Sequence, residues 1–215
     1  MMILNLKRLI ASNKYFWKYR HLMNKNIFSF SYGKIPEYHF NKVFKNLYIN
    51  SVLDFGCATG DKLQHFTKNG SKIIYGVDIN SRALSTAKNK FKDTNFDYEF
   101  SKKINLDDIN NFLKKRNIDK FDLILVERLF YILNNKEFFN VVNILSKKTK
   151  YLYIDDFFLE KNFLENKIRK KINGYTHTYF DEVFDHDFKK IYAENSPYSE
   201  VKFANSGCAL YKFIH

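Results

Sequence analysis

The chain has 215 residues, with 36 Lys and Arg against 23 Asp and Glu, which gives a net charge of +13. This length fits one domain of ordinary size, and a hydrophobic content of 45% excludes a wholly disordered chain. Two cysteines exclude a disulfide scaffold, and no apolar run approaches the ~20 residues that a membrane span needs. We therefore expect a cytoplasmic protein without a membrane partner.

The basic charge allows two interpretations. A positive surface gathers phosphate groups, so a nucleic-acid partner is one of them. The other is a bias of composition, because the chain is rich in Lys, Asn, Ile, Phe and Tyr, and its lysines are scattered rather than grouped in one block. Charge alone does not choose between them.

Residues 1–48 contain no strong strand signal and are expected to form a helical cap on a domain of residues 49–215. Residues 14–23 are aromatic and basic with a helical pattern. Residues 38–47 place apolar side chains at spacings of three and four, which is the pattern of one apolar helix face. These side chains are Phe40, Val43, Phe44 and Leu47.

From residue 51 onward, predicted strands alternate with predicted helices. Gly70 is expected to end the first of these helices, Asn80 or Ser81 is the candidate N-cap of the second, and Asn135 is the candidate N-cap of another. This alternation predicts an α/β fold with a parallel sheet covered on both faces. Strands are predicted at 51–55, 72–77, 96–100, 121–126, 151–154, 188–194 and 209–214, and helices at 61–69, 106–116, 136–146, 160–172 and 180–186. A further helix after the second strand carries Ala83, Leu84, Ala87 and Phe91 on one side.

A glycine-rich turn follows the first predicted strand, in the segment VLDFGCATG of residues 52–60. Glycine lets the backbone bend sharply and approach a ligand closely, because no Cβ occupies that space. The second strand ends in Asp78, and a carboxylate at that place can accept both hydroxyls of a ribose. Turn and acid together predict a nucleoside ligand.

The spacing of the turn argues against a dinucleotide. A dinucleotide fingerprint needs glycine at the first, third and sixth places, which here hold Gly56, Ala58 and Asp61. Asp61 would repel a pyrophosphate, whereas Asp54 suits a cationic ligand. S-adenosylmethionine carries a sulfonium and an ammonium group but no phosphate, and it therefore fits this turn better.

With these motifs the sequence resembles the class I, Rossmann-like S-adenosylmethionine-dependent methyltransferases. The segments that carry the resemblance are LDFGCATG at 53–60, YGVDIN at 75–80 and FDLILVERLFYIL at 121–133. The resemblance covers residues 51–156 and implies a doubly wound, mainly parallel sheet of seven strands with an antiparallel C-terminal strand. It also implies S-adenosylmethionine as the cofactor and methyl transfer as the reaction.

The resemblance also implies a set of cofactor-binding residues. Alanine at position 58 stands where the family usually has glycine, and it is the smallest replacement. After the third strand, Ser101 stands near the place of an Asp that often contacts the adenine amino group, and we expect a weaker contact from it. The full set is Asp54, Gly56, Cys57, Ala58 and Gly60 for the methionine end, Asp78 for the ribose, Ile79 and Ser101 for the adenine, and Glu127 for the methyl group and substrate.

Candidate catalytic residues follow the fourth and fifth strands. A hydroxyl acceptor must be held in line and must lose a proton, so Glu127 and Asp155 are candidates. A surface ion pair with Arg128 is the alternative for Glu127, and a helix N-cap is the alternative for Asp155. His177 lies in a polar aromatic loop and is the candidate general base, because its ordinary pKa is near the working pH; a loop histidine can also simply be exposed.

Three further segments have open interpretations. Tyr32 and Lys34 could close over the carboxylate of the cofactor. The basic helix at 161–171 could be a solvated face, a lid, or a cradle for an anionic acceptor. Residues 195–198 (NSPY) resemble the Asn-Pro-Pro-Tyr box of methyltransferases that act on base amino groups, but the box belongs directly after the fourth strand, so we expect a turn here.

We therefore expect methyl transfer to a small-molecule or sugar-like acceptor, on oxygen and without a metal. An RNA or tRNA methyltransferase is the first alternative, because of the basic surface. A non-catalytic S-adenosylmethionine-binding or scaffolding protein is the second.

Overall fold

A computed structural model describes residue 10 and residues 13–19, 37–160, 167–197 and 206–215. Within this part of the chain, no helix is long and apolar enough to cross a membrane. Tyr32, Lys34 and Tyr198 lie outside the described residues, as do residues 161–166 of the predicted basic helix.

Nine strands are present among the described residues, and seven of them form one sheet. The strands are β1 (Ser51–Phe55), β2 (Ile73–Val77), β3 (Asp97–Ser101), β4 (Phe121–Glu127), β5 (Thr149–Phe157), β6 (Arg169–Ile172), β7 (Tyr175–Thr178), β8 (Phe188–Asn195) and β9 (Ser206–Phe213). The sheet has the order β3-β2-β1-β4-β5-β9-β8. β1 to β5 run parallel, and β9 lies antiparallel between β5 and β8. The predicted seven-stranded sheet with an antiparallel C-terminal strand is therefore confirmed.

Helices cover both faces of the sheet. The helices are α1 (Lys14–Tyr19), α2 (Glu37–Phe44), α3 (Asp61–Lys68), α4 (Ser81–Phe91), α5 (Leu106–Lys115), α6 (Asn135–Ser146) and α7 (Phe180–Phe184). Apolar residues of α2, α3 and α4 pack on one face, and those of α5, α6 and α7 pack on the other. Because both faces are covered, the central strands are apolar along most of their length.

The register of the sheet brings three carboxylates to one edge. Glu127 of β4 is the neighbour of Asp155 on β5, and Asp54 of β1 lies beside Leu125 of β4. Alternate residues of a strand share a face, so these carboxylates point to the side that α2, α3 and α4 cover. Parallel strands end at the same edge, which places the three acids at the carboxyl end where such sheets bind ligands.

The structure corrects the prediction after the fifth strand. Residues 169–172 form strand β6 rather than a helix, and β6 pairs antiparallel with β7, which replaces the predicted loop around His177. The turn between them holds Asn173 and Gly174, both with positive φ. Asn-Gly is the preferred pair of a two-residue hairpin turn, so this signal was present in the sequence and outweighs the helical look of the lysines.

Two smaller predictions are also corrected. Asn134 rather than Asn135 caps α6, and Glu137 completes a capping box with it. Strand β5 extends to Phe157, so Asp155 lies inside the sheet and not at a helix N-cap. Asn80 is the N-cap of α4, as predicted.

Candidate functional site

The glycine-rich turn between β1 and α3 has a backbone that few residues adopt. Gly56, Ala58 and Gly60 all have positive φ, at 96°, 45° and 76°. The backbone N–H groups of Gly56 and Cys57 donate to the Val77 carbonyl at 2.8 and 3.0 Å, which ties the turn to the end of β2. The turn therefore has the shape of a glycine loop even though alanine holds its middle position.

Asp78 connects the turn to the start of α4. Its Oδ2 accepts a hydrogen bond from the Ala58 N–H at 2.9 Å, and its Oδ1 accepts one from the Asn80 N–H at 2.8 Å. Ile79, between them in sequence, is 43% exposed although it is large and apolar. The structure thus brings the acid, the turn and an exposed apolar side chain together.

Helix α1 reaches the same place from the N-terminal region. The Asn80 side-chain amide donates to the Trp17 carbonyl at 3.0 Å, and the Lys14 ammonium pairs with Glu137 at 2.6 Å. Asn80 begins α4, and Glu137 lies in the first turn of α6. Helix α1 therefore spans two elements that border the carboxyl edge of the sheet.

Ser101 lies next to Asp78, but its hydroxyl is used locally. Its carbonyl accepts from the Asp78 N–H at 3.1 Å, and its Oγ donates to the Lys103 carbonyl at 2.9 Å. The Cys57 side chain faces the core and is 2% exposed, and burial raises the pKa of its thiol well above the ordinary value. Cys57 therefore lines the turn with its backbone and not with its sulfur.

A partly buried cation lies between two of the carboxylates. Lys62 Nζ is 3.4 Å from Asp54 Oδ1 and 3.5 Å from Glu127 Oε2. Asp54 is fully buried, and neither of its oxygens has a hydrogen-bond partner within the described residues. Burial raises the pKa of Asp54 to about 6, although Lys62 opposes this shift. Burial acts to lower the pKa of Lys62, but the attraction of the two carboxylates outweighs it and raises that pKa.

The third carboxylate belongs to a buried hydrogen-bond network. Arg128, with a φ of 53°, places its guanidinium 3.0 Å from Asp155 Oδ1 and also donates to the hydroxyls of Ser196 and Ser206. The Ser196 hydroxyl donates to Asp155 at 2.7 Å. Burial raises the pKa of Asp155 to about 7, against the effect of Arg128. The sequence interpretation of Arg128 as a surface partner of Glu127 is thus corrected, because Arg128 is buried and pairs with Asp155.

Asp156 fixes the segment that follows β4. Its Oδ2 accepts from the backbone N–H groups of Leu129 and Phe130 at 3.1 and 2.8 Å, and its Oδ1 accepts from that of Phe157 at 2.8 Å. Burial raises the pKa of Asp156 to about 6. The carboxyl group thus sets the path of the chain immediately after Glu127.

His177 lies on β7 and is buried rather than exposed in a loop. Its Nδ1 is 3.2 Å from the Tyr175 carbonyl, and its ring lies 5.2 Å from that of Phe157. Burial lowers the pKa of His177. Phe157 and Tyr175 stack at 4.4 Å, and Tyr131 meets both rings edge to face. The structure thus places His177 in an aromatic cluster at the end of β5, on a different element from the carboxylates.

A second polar cluster has the chemistry of metal ligands. His39 Nδ1 lies 2.8 Å from Glu194, and His39 Nε2 lies 2.9 Å from the Tyr153 hydroxyl and 3.7 Å from Cys208 Sγ. The Lys42 ammonium also pairs with Glu194, at 2.5 Å. Because these groups already satisfy one another and an ammonium lies against the carboxylate, the cluster is explained as a hydrogen-bond network.

The residues at the carboxyl edge fit the cofactor that the sequence resemblance implies. A buried carboxylate at Asp54 without a hydrogen-bond partner among the described residues suits a cationic group. Asp78 and Ile79 place an acid and an exposed apolar surface beside the turn, as a ribose and a flat base require. A sulfonium nucleoside is compatible with this set.

Comparisons with known proteins agree with the fold. A family model described as "Methyltransferase domain" matches residues 50–205. Among solved structures, the chain is similar to the N-methyltransferase NodS from Bradyrhizobium japonicum WM9 in complex with S-adenosyl-L-homocysteine. The identity is 13% and the TM-score 0.64, over 94% of this chain and 100% of that one.

The names of two further similar proteins of known structure state very different acceptors. Magnesium protoporphyrin IX methyltransferase from Synechocystis PCC 6803, with bound S-adenosyl-L-homocysteine, is 15% identical over 82% of this chain and 80% of that one, with a TM-score of 0.56. The 16S rRNA methylase RmtB is 12% identical over 83% of this chain and 61% of that one, with a TM-score of 0.53. At such identities the likeness establishes the fold alone. No curated protein sequence matches the chain.

Proposed function

The chain belongs to the methyltransferase-domain family, and from this membership we propose that it transfers the methyl group of S-adenosylmethionine to the oxygen of a small-molecule or sugar-like acceptor. When bound, S-adenosylmethionine supplies a methyl group on a sulfonium, which is already activated for in-line displacement. The protein then has to hold the donor, orient the acceptor and remove a proton from a hydroxyl.

The donor is held by the turn and the ends of β1 and β2. Asp78 accepts the ribose hydroxyls, and Ile79 contacts the base. Asp54 attracts the cationic end, with the backbone of Gly56, Cys57, Ala58 and Gly60 around it. The observations that support these roles are the positive φ values of the turn and the carboxylate of Asp54.

The distribution of charge supports a small acceptor over RNA, and it is the observation that carries this part of the proposal. Among the described residues, five carboxylates lie at the carboxyl edge of the sheet, at Asp54, Asp78, Glu127, Asp155 and Asp156. The cavity at the opposite edge is lined by Lys120, Lys150 and Lys212 together with aromatic side chains. An RNA backbone at the carboxyl edge would lie beside these acids, whose charge Lys62 and Arg128 balance in part, while three lysines line the cavity at the other end of the strands.

His177 is the general base of the proposed reaction. The hydrogen bond from Nδ1 to the Tyr175 carbonyl selects the tautomer with its proton on Nδ1, which leaves Nε2 as the acceptor of a proton. Burial keeps this imidazole neutral near pH 7. Glu127 orients the acceptor or the methyl group, and Asp155, which is committed to Arg128, positions the segment around it.

We assign residues 1–48 to a cap over the cleft and residues 49–215 to the methyltransferase domain. The support comes from α1, where Trp17 meets Asn80 beside the proposed ribose site and also packs on the aromatic cluster of Tyr131, Phe157 and Tyr175. A cap that touches both places would cover donor and acceptor together.

The proposal is tested with S-adenosylmethionine that carries a labelled methyl group. The purified protein is incubated with a small-metabolite extract and, separately, with mixed tRNA, and Asp78→Ala serves as the inactive control. We expect the label to appear in a small molecule. Mass spectrometry of that product should place the labelled methyl group on an oxygen. Label in tRNA would establish the RNA alternative, and cofactor binding without label in either pool would establish a non-catalytic protein.

A further inference from the structure

The Lys62 ammonium lies beside Asp54, the carboxylate to which the proposed function assigns the cationic end of the cofactor. We propose that the Lys62 ammonium is an internal counter-ion, which occupies the cation position between Asp54 and Glu127 in the free protein and gives that position up to the cationic end of S-adenosylmethionine. Lys62 is then a specificity-determining residue, because it sets how strongly the amino-acid end of the cofactor contributes to binding. The inference rests on the proposed function.

The distances show a bridge that is loose on both sides. Lys62 Nζ lies 3.4 Å from Asp54 and 3.5 Å from Glu127, whereas a charge-assisted hydrogen bond between an ammonium and a carboxylate measures about 2.7–2.9 Å. The ammonium is therefore shared between two acids and bound closely by neither. A closer cation could replace it without breaking a short hydrogen bond to either carboxylate.

Burial differs between the three side chains in a way that allows such a replacement. The side chains of Asp54 and Glu127 are 0% and 5% exposed, while that of Lys62 is 16% exposed. The two acids are thus fixed in strands β1 and β4, and the lysine is the partner that reaches solvent. A lysine has a flexible four-carbon stem, so its head can move while helix α3 stays in place.

Electrostatics requires one cation at this place at all times. Among the described residues, Lys62 is an ammonium that faces both acids, and removing the cation from buried carboxylates is strongly unfavourable. Asp54 also lacks hydrogen-bond donors among the described residues, so charge is its main compensation. Lys62 supplies the cation before binding, and the ligand supplies it afterwards.

This exchange makes a prediction whose sign distinguishes it from ordinary binding. If Lys62 competes with the ligand for Asp54 and Glu127, its removal strengthens the binding of any ligand that carries an ammonium at that place. If Lys62 instead anchors the carboxylate of the ligand, its removal weakens binding. A ligand without the amino-acid end is insensitive to Lys62 in the first case.

The experiment uses calorimetry to compare two thioethers, in both of which the sulfur is uncharged. S-adenosylhomocysteine carries the amino-acid end, and methylthioadenosine lacks it. In Lys62→Met we expect S-adenosylhomocysteine to bind about fivefold or more tightly, because the competing state is gone, and methylthioadenosine to bind within about twofold of wild type. The melting temperature of Lys62→Met without ligand should fall, and the rise on adding S-adenosylhomocysteine should exceed that of wild type.

Lys68→Met is the matched control, because Lys68 is an exposed residue of the same helix and its loss changes the net charge equally. If Lys62→Met does not fold, the comparison is made in a Glu127→Gln background, where fewer negative charges are left without a cation. Unchanged or weaker binding of S-adenosylhomocysteine upon loss of Lys62 overturns the inference. Failure of wild type to bind either thioether overturns the proposed function instead, so the two failures are distinguishable.

Discussion

At the residue scale, buried charges dominate the carboxyl edge of the sheet. Asp54 and Asp155 each sit beside one cation, Lys62 and Arg128 respectively, and burial raises the pKa of both carboxyl groups. Such arrangements cost stability unless every partner is present, and they concentrate at functional sites. The two ion pairs therefore give separable predictions, one for stability and one for binding.

The pair of Arg128 with Asp155 is expected to be essential for stability. Arg128→Met leaves a carboxylate buried without its cation and should lower the free energy of unfolding by about 3–5 kcal/mol. Lys150→Met breaks the exposed pair with Asp122 and should cost less than about 1 kcal/mol. Urea denaturation of both variants measures the difference. Equal losses would contradict the prediction that the buried pair contributes more to stability than the exposed pair.

The role of His177 is testable by its effect on the pH profile. Burial lowers the pKa of the imidazole below 6.5, so the base form is present at neutral pH and is lost only when the pH falls below that value. With the acceptor found by the labelling experiment, kcat/KM should therefore decline on an acid limb that inflects below pH 6.5. His177→Gln should remove this limb and lower the rate by about 10²–10⁴-fold.

His186→Gln is the control for this measurement, since His186 is an exposed histidine of the same region. Its pH profile should match that of wild type. An acid limb that survives unchanged in His177→Gln would assign the proton transfer to another group.

At the element scale, the backbone of the glycine-rich turn agrees with the turn that the sequence predicts. Ala58 has a φ of 45°, in the left-handed region where a Cβ is unfavourable by roughly 1–2 kcal/mol. The chain holds this conformation because the Ala58 N–H is bonded to Asp78 and the flanking N–H groups are bonded to Val77. The turn keeps its shape through these bonds rather than through the residue type.

Replacing Ala58 by glycine should therefore stabilise the protein. Glycine removes the steric cost but adds freedom to the unfolded chain, so we expect a net gain of up to about 1 kcal/mol in the free energy of unfolding. Ala87→Gly, at a fully buried position inside α4, is the comparison and should lose more than about 1 kcal/mol, because glycine weakens the helix and a buried methyl group is removed. A thermal unfolding comparison decides this, and a loss of stability in Ala58→Gly comparable to that in Ala87→Gly would contradict the account.

Several elements could be predicted from the sequence because their signals are local. Strands β1, β2 and β4 are mainly apolar runs between turn signals, and Asn80 caps α4 as expected. The hairpin of β6 and β7 was missed, although Asn173-Gly174 marks its turn, because the surrounding lysines also suit a solvated helix. Local propensity is balanced in such a segment, and pairing with the partner strand decides its structure.

The buried hydrogen-bond network around Asp155 could not be predicted in the same way. Ser196 lies 41 residues after Asp155, and Ser206 lies 78 residues after Arg128. Only the order of strands β5, β9 and β8 brings these side chains together, and no pattern in the sequence records which distant serine meets which acid. The prediction that Asp155 is catalytic stays a prediction, and in the structure Arg128 and Ser196 hold its carboxylate.

At the scale of the whole molecule, the net charge of +13 does not describe the two edges of the sheet, which differ in their charged residues. The carboxyl edge of the sheet gathers buried acids, and the opposite edge has a cavity with three lysines, at positions 120, 150 and 212. A cationic cofactor and a small acceptor suit the first edge. The three lysines of the second edge contribute +3 to the charge and have no part in the proposed reaction.

The central claim is that the carboxyl edge binds S-adenosylmethionine through Asp78. Titration calorimetry with S-adenosylhomocysteine on wild type, Asp78→Ala and the exposed control Asp93→Ala tests it most directly. Asp78 would accept two hydrogen bonds as an ionised group, each worth about 1.5–3 kcal/mol, so Asp78→Ala should weaken binding by at least about 100-fold. Asp93→Ala should bind as wild type does. Equal affinity of wild type and Asp78→Ala, or no binding by wild type, would contradict the account.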